Sequence, residues 1–128
     1  MTMRDGVATI FVSDLPRSVR FYTDILGLRK THSIGDAWVE LKAESGFKIG
    51  LHAVGPESPT AGRHGSISLG LECQGSMEDH MAHLQSCGVT IDRPIVDGKN
   101  ARSIFFCDPD GNELYLFQYA PAQAEEKP

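Results

Sequence analysis

Neither sign of charge is gathered into blocks: no run of Lys or Arg exceeds two residues, and the 128-residue chain has a net charge of −5. That distribution removes the electrostatic basis for nucleic acid or an anionic membrane as partner. Long apolar runs are also lacking. The longest, such as Ile104–Cys107 and Leu114–Phe117, fall far short of the roughly 20 residues that a spanning helix needs. Met1-Thr-Met-Arg-Asp-Gly6 leads straight into a strand pattern, so no signal peptide is expected. Cysteine is scarce. Cys73, Cys87 and Cys107 are odd in number, without a C-x-x-C pair, which excludes a disulfide framework and points to a reducing, cytoplasmic setting. All three are read as small apolar fillers. No Ser-His-Asp order, nucleotide-binding glycine loop or carboxylate pair stands out, and Asp97-Gly98 and Asp110-Gly111 read as turns.

What is present is an ordinary globular mix, 41% hydrophobic and 23% charged. A chain of this length buries about two-thirds of its unfolded surface, enough for a core without covalent staples. Residues 7–12 read as a strand rich in β-branched residues. Ser13-Asp14 then offers an N-cap and Pro16 suits the first helical turn. Leu15, Val19, Tyr22 and Leu26 recur at helical spacing until Gly27 stops the helix. Strands are predicted near 30–34, 37–42 and 47–54, the last two flanking a turn at Glu44-Ser45-Gly46.

The same order then repeats. Residues 66–73 alternate as a strand, Ser76 with Asp79 makes a capping pair, and Met77, Met81 and Leu84 share one helix face up to Gly88. Strands follow near 90–96, 102–107 and 113–119, with Asp108-Pro109-Asp110-Gly111 as the turn between the last two. Residues 55–65 are a linker by composition, and 121–128 lack apolar periodicity and are expected to be a flexible tail. The expected organisation is one domain over 1–120, with modules at about 5–54 and 65–119.

Three passages carry a family resemblance. Val12-Ser-Asp-Leu-Pro-Arg-Ser-Val-Arg-Phe-Tyr-Thr-Asp-Ile-Leu-Gly-Leu28 resembles the first-module signature of the vicinal oxygen chelate superfamily of glyoxalases, bleomycin-resistance proteins and extradiol dioxygenases. Phe106-Cys-Asp-Pro-Asp-Gly-Asn-Glu-Leu-Tyr115 resembles its closing hairpin, and the Cys87-Gly-Val89 helix end is similar to its second-module midpoint. The resemblance implies an α+β fold: two βαβββ modules forming a curved mixed sheet around a cleft, often at or near a dimer interface. A homodimer is therefore expected.

In metal-using members of that superfamily, four cleft-facing strand positions supply His and Glu ligands. Placed by their offsets from local anchors, the corresponding positions here hold Val7, Gly50, Ser66 and Tyr115. Val and Gly have no ligating side chain, and Ser and neutral Tyr replace imidazole or carboxylate poorly. The expectation is no metal and no other cofactor. A displaced site would have to use His52, His64 and Glu113, each two residues from a family position. Each such step moves a side chain about 6.5 Å along its strand, so three would have to converge.

Alternation sorts the strands into two faces. Ala8, Ile10, Val12, Val39, Leu41, Ile49, Leu51, Ile67, Leu69, Ile104, Phe106, Leu114 and Leu116 belong beneath the helices. The opposite face receives Thr9, Phe11, Trp38, Glu40, Lys48, His52, Ser66, Ser68, Ser103, Phe105, Tyr115 and Phe117, aromatic walls with a few polar groups. Of these, all but Phe11 are the candidate ligand-binding residues. Each also has a plain structural reading: Trp38 and Tyr115 as packed aromatics, and Glu40 with Lys48 as a cross-strand ion pair. His52 is a candidate general base, since histidine as a residue type titrates near neutrality, with Glu40 as its partner. His80 and His83 are read as solvent-facing, and His32 is assigned no role.

The leading expectation is a metal-independent protein that binds an aromatic or drug-like small molecule without turnover, held between Trp38, Phe105 and Tyr115. The alternative is a glyoxalase-, epimerase- or dioxygenase-like enzyme with a displaced metal or a His52/Glu40 acid–base site. A third class is a structural or regulatory dimer whose partner fills the aromatic cup.

Overall fold

The β-branched opening of the chain becomes β1 (Ala8–Val12), and Asp14 caps the helix that follows, its carboxylate accepting from the Arg17 backbone N–H at 3.0 Å. A computed structural model describes residues 6–56, 60–62 and 68–120 and divides the chain into two units, Met1–Arg63 and His64–Pro128.

In the first unit, α1 (Leu15–Arg20) runs on as a π-helical turn over Phe21–Ile25. The wider turn shows in the Leu26 N–H, which reaches back five residues to the Phe21 carbonyl at 3.2 Å. It also brings both Phe21 and Tyr22 into the core, where an unbroken 3.6-residue period selects Tyr22 alone. Gly27, at φ 78°, ends the segment. Then come β2 (Arg29–Ile34), β3 (Trp38–Lys42) and β4 (Lys48–Ala53), in sheet order β1-β4-β3-β2 with only β1–β4 parallel. Val39, Leu41, Ile49 and Leu51 are buried on one face together with Val12, Leu15 and Leu28. Each such aliphatic side chain, fully buried, contributes about 1.5–3 kcal/mol. The fully buried Ser18 hydroxyl has no hydrogen-bond partner among the described residues.

The second unit repeats the plan with β5 (Ser68–Glu72), α2 (Met77–Ser86), β6 (Val96–Asp97), β7 (Ala101–Cys107) and β8 (Glu113–Tyr119). Its sheet order is β5-β8-β7-β6, again with the first pair parallel. Ser76 caps α2, accepting from the Asp79 N–H at 3.2 Å. Arg102 on β7 fixes the helix start, donating to Glu78 at 2.8 Å and to Asp97 at 2.5 Å. The Arg102 guanidinium in turn holds the Glu78 carboxyl below its usual range, and the two carboxylates raise Arg102. Leu71, Met77, Leu84, Ile104, Phe106, Leu114 and Leu116 are the buried apolar residues of this unit.

The closing hairpin turn is held by several hydrogen bonds. Gly111 N–H donates to the Asp108 carbonyl at 2.9 Å, Pro109 occupies the second position, and Gly111 takes φ 86°. Asp108, only 5% exposed, accepts through its carboxylate from Asp110 N–H, Asn112 N–H and the Asn112 side-chain amide at 3.0, 2.8 and 2.9 Å.

Two expectations are corrected. The strand expected over 90–96 shrinks to Val96–Asp97, because Pro94 offers no N–H to a neighbouring strand and restricts the residue before it. Cys87 and Cys107 are exposed rather than buried: Cys87 caps α2, and Cys107 falls on the face opposite Ile104 and Phe106. His80 donates, through an exposed hydrogen bond, to the Gln74 carbonyl at 2.5 Å. No described helix is long and apolar enough to cross a membrane.

Candidate functional site

Strand register decides which side chains share the non-helical face of each sheet. In the first unit Thr9 and Glu40 flank Gly50, Phe11 and Trp38 flank His52, and Lys48 lies opposite Lys42. The sequence-predicted Thr9, Phe11, Trp38, Glu40, Lys48 and His52 therefore do share one face. Glu40 sits diagonal to Lys48. Its carboxylate accepts from Thr31 at 2.8 Å, with His32 at 3.8 Å. Thr31 and His32 come into this cluster through an irregularity in the β2–β3 register between Lys30 and His32, which alternation alone does not reveal.

His52 Nδ1 lies 2.7 Å from the Ala53 carbonyl. A carbonyl only accepts, so Nδ1 carries the proton and Nε2 is left as the acceptor. The Phe11 ring lies beside it, centroids 5.1 Å apart.

Gly50 explains Trp38. A Cβ built on Gly50 would lie 2.6 Å from the Trp38 indole nitrogen and 3.2 Å from Thr9 Oγ1. The indole is therefore laid across the strand, in the volume that a side chain at position 50 would need. The second unit repeats the device. A Cβ on Gly70 would lie 2.4 Å from Tyr115 Cζ and 2.6 Å from its hydroxyl oxygen. Tyr115 is the direct neighbour of Gly70 across the β5–β8 pair, and its ring lies down over that glycine.

Around Tyr115 the second sheet carries a continuous row of rings. Centroids are 5.4 Å apart for Phe105–Tyr115, 5.7 Å for Tyr115–Phe117 and 5.3 Å for Phe117–Tyr119. These spacings are those of favourable aromatic pairs. Ser103 faces Phe117, and Ser68 faces Glu113. The predicted Ser68, Ser103, Phe105, Tyr115 and Phe117 are thus brought onto one face. Ser66 lies outside the described residues. The sequence missed Tyr119, Gly70 and Arg93; the β8 period of two alone reaches Tyr119.

The three described family metal positions do not supply a donor set. Val7 precedes β1 and is 46% exposed, Gly50 is roofed by Trp38, and Tyr115 is folded onto Gly70. For the displaced alternative, His64 lies outside the described residues and Glu113 stands 3.9 Å from Arg93. Among the described residues no three His, Cys, Asp or Glu side chains come together. Aromatic rings and glycines are not ligands for a divalent cation, so the described residues at these positions do not fit one.

Neither Cys73, on the helix side beside Met77, nor Cys107 is an activated thiol. Burial, then Glu72, pushes the Cys73 thiol up. Partial desolvation, then Asp108, Glu113 and Asp92, raises Cys107 although its edge is exposed. A thiol that stays protonated is a poor nucleophile.

Two four-stranded mixed sheets, each with a helix on one face and aromatic residues on the other, define an α+β architecture of repeated βαβββ units. The model of the Glyoxalase/Bleomycin resistance protein/Dioxygenase superfamily matches residues 6–116, and the chain belongs to that superfamily. Among solved structures, it is similar to an integron cassette protein from the mobile metagenome of V. cholerae: 26% identity, TM-score 0.75, covering 94% of this chain and 98% of that one. A second cassette protein, from V. pseudocholerae, is 28% identical, with TM-score 0.75 and coverage of 94% and 96%. TnmS3, an antibiotic binding protein from Streptomyces sp. CB03234, shares the fold at 24% identity, TM-score 0.74 and coverage of 93% and 98%.

Proposed function

We propose that this protein binds a planar aromatic small molecule, without a metal and without turnover, on the sheet face formed by Phe105, Tyr115 and Phe117. The observation that carries the reading is Tyr115: its ring is folded flat onto Gly70 and flanked on both sides by further rings. A ring lying down in this way turns a π-face outward, as stacking requires. Hydroxyls at Ser68 and Ser103 supply the polar groups that orient a ligand on an apolar surface. An antibiotic-binding protein of the same fold supports the ligand class. A homodimer and a cytosolic setting with free thiols belong to the same reading, and sedimentation velocity tests the dimer.

The test is ligand-observed NMR with a panel of planar aromatic compounds, followed by titration of the best binder. Tyr115→Ala should weaken that binder at least tenfold, about 1.4 kcal/mol, while circular dichroism shows the fold retained. Undiminished binding in Tyr115→Ala, or release of a converted product, would sink the proposal.

One observation favours a second reading, acid–base chemistry at His52. The Ala53 carbonyl fixes its tautomer and leaves Nε2 as the acceptor that a general base needs. Glu40, the expected partner, is engaged by Thr31, so this site would act through His52 alone.

A further inference from the structure

The segment between α2 and β6 places a cation on the row of rings. Arg93 Cζ lies 4.3 Å from the Phe105 ring centroid, and one guanidinium nitrogen lies 3.9 Å from the Glu113 carboxylate. That separation is too long for a hydrogen bond, so Glu113 balances the charge without occupying the donors. A guanidinium has five N–H donors, and resting on a ring occupies none of them. The side chain is 48% exposed, and a ligand lying on Tyr115 would have it within reach.

We infer that Arg93 is the specificity-determining residue of this face and selects planar aromatic ligands that carry an anionic group, a carboxylate above all. The inference rests on the aromatic-face reading and narrows its ligand class. The aromatic body lies on Tyr115 and Phe117, and the anion reaches the guanidinium at the Phe105 end. A fork of parallel N–H donors matches a carboxylate's two oxygens. Glu72, also on this face, neighbours Phe117, towards the other end of the row from Arg93. Arg93 is thus the cation set over Phe105, with Glu113 beside it.

Three probes of one shape and three charges test this: 2-naphthoate, 2-naphthylmethanol and 2-naphthylmethylammonium, titrated by NMR at low salt. The naphthoate should bind at least tenfold more tightly than the alcohol, and the ammonium most weakly. Arg93→Gln should bring the naphthoate-to-alcohol ratio within twofold, and Arg93→Lys should leave it in between. Arg20→Gln, which removes the same charge from α1, should leave the ratio unchanged. Equal binding of the three probes, or preference for the ammonium, overturns the inference while the aromatic face stands. No binding of any probe up to millimolar concentration overturns the aromatic face and the inference together.

Discussion

Gly70→Ala should destabilise the protein by about 2–3 kcal/mol, the cost of forcing extra volume into a packed contact. The sign of this effect is informative. Gly70 does not have positive φ, so backbone entropy alone would make alanine stabilising by about 0.4–1 kcal/mol. The opposite outcome follows because the new Cβ falls 2.4 Å from Tyr115 Cζ. That atom is the hydroxyl-bearing carbon of a ring packed between Phe105 and Phe117, whose neighbours leave it little room to swing aside. In a Tyr115→Ala background the same substitution should cost less than about 0.5 kcal/mol, because the clash has been removed. Urea unfolding of the four proteins of this cycle measures both numbers. A stabilising Gly70→Ala would show that the ring does not lie over Gly70.

Asp108→Ala should cost about 2–4 kcal/mol, since it strips the acceptor from three donors around a nearly buried carboxylate. Asp108→Asn, which keeps one acceptor oxygen, should recover part of that loss. The effect is expected to be large because the hairpin sets the β7–β8 register. A slip of one residue would turn Tyr115 and Phe117 to the helix side and Leu114 and Leu116 outward. Loss of stability in Asp108→Ala should therefore be accompanied by a change in near-ultraviolet circular dichroism from the row of rings. A loss below about 0.5 kcal/mol, the range of ordinary surface substitutions, would contradict the role given to Asp108.

The start of each helix was legible because one short polar side chain does the capping, Asp14 for α1 and Ser76 for α2. The division of β3, β4, β7 and β8 into a buried and an open face was legible because a period of two needs no partner to be read. The β6 region misled because its apolar residues resemble a strand while Pro94 denies one the required N–H. The π-helical turn at Phe21–Ile25 left no periodic signal, since one extra residue in a turn shifts the pattern that is being counted.

The site divided in the same way. Composition and alternation placed Trp38, Phe105, Tyr115 and Phe117 on open faces. They could not show that two of these rings cover glycines, which depends on register and on how each ring leans. Arg93 was out of reach for a further reason: it lies outside any regular element, and only tertiary structure brings it over Phe105.

The measurement that bears most directly on metal-independent binding without turnover is calorimetric titration of the best aromatic ligand before and after exhaustive dialysis against a chelator. The ligand is then recovered and weighed by mass spectrometry. The predicted result is a dissociation constant unchanged within twofold, with the ligand returned intact. Binding that vanishes on chelation and returns with zinc, nickel, manganese or iron, or a ligand returned as a different compound, would contradict it.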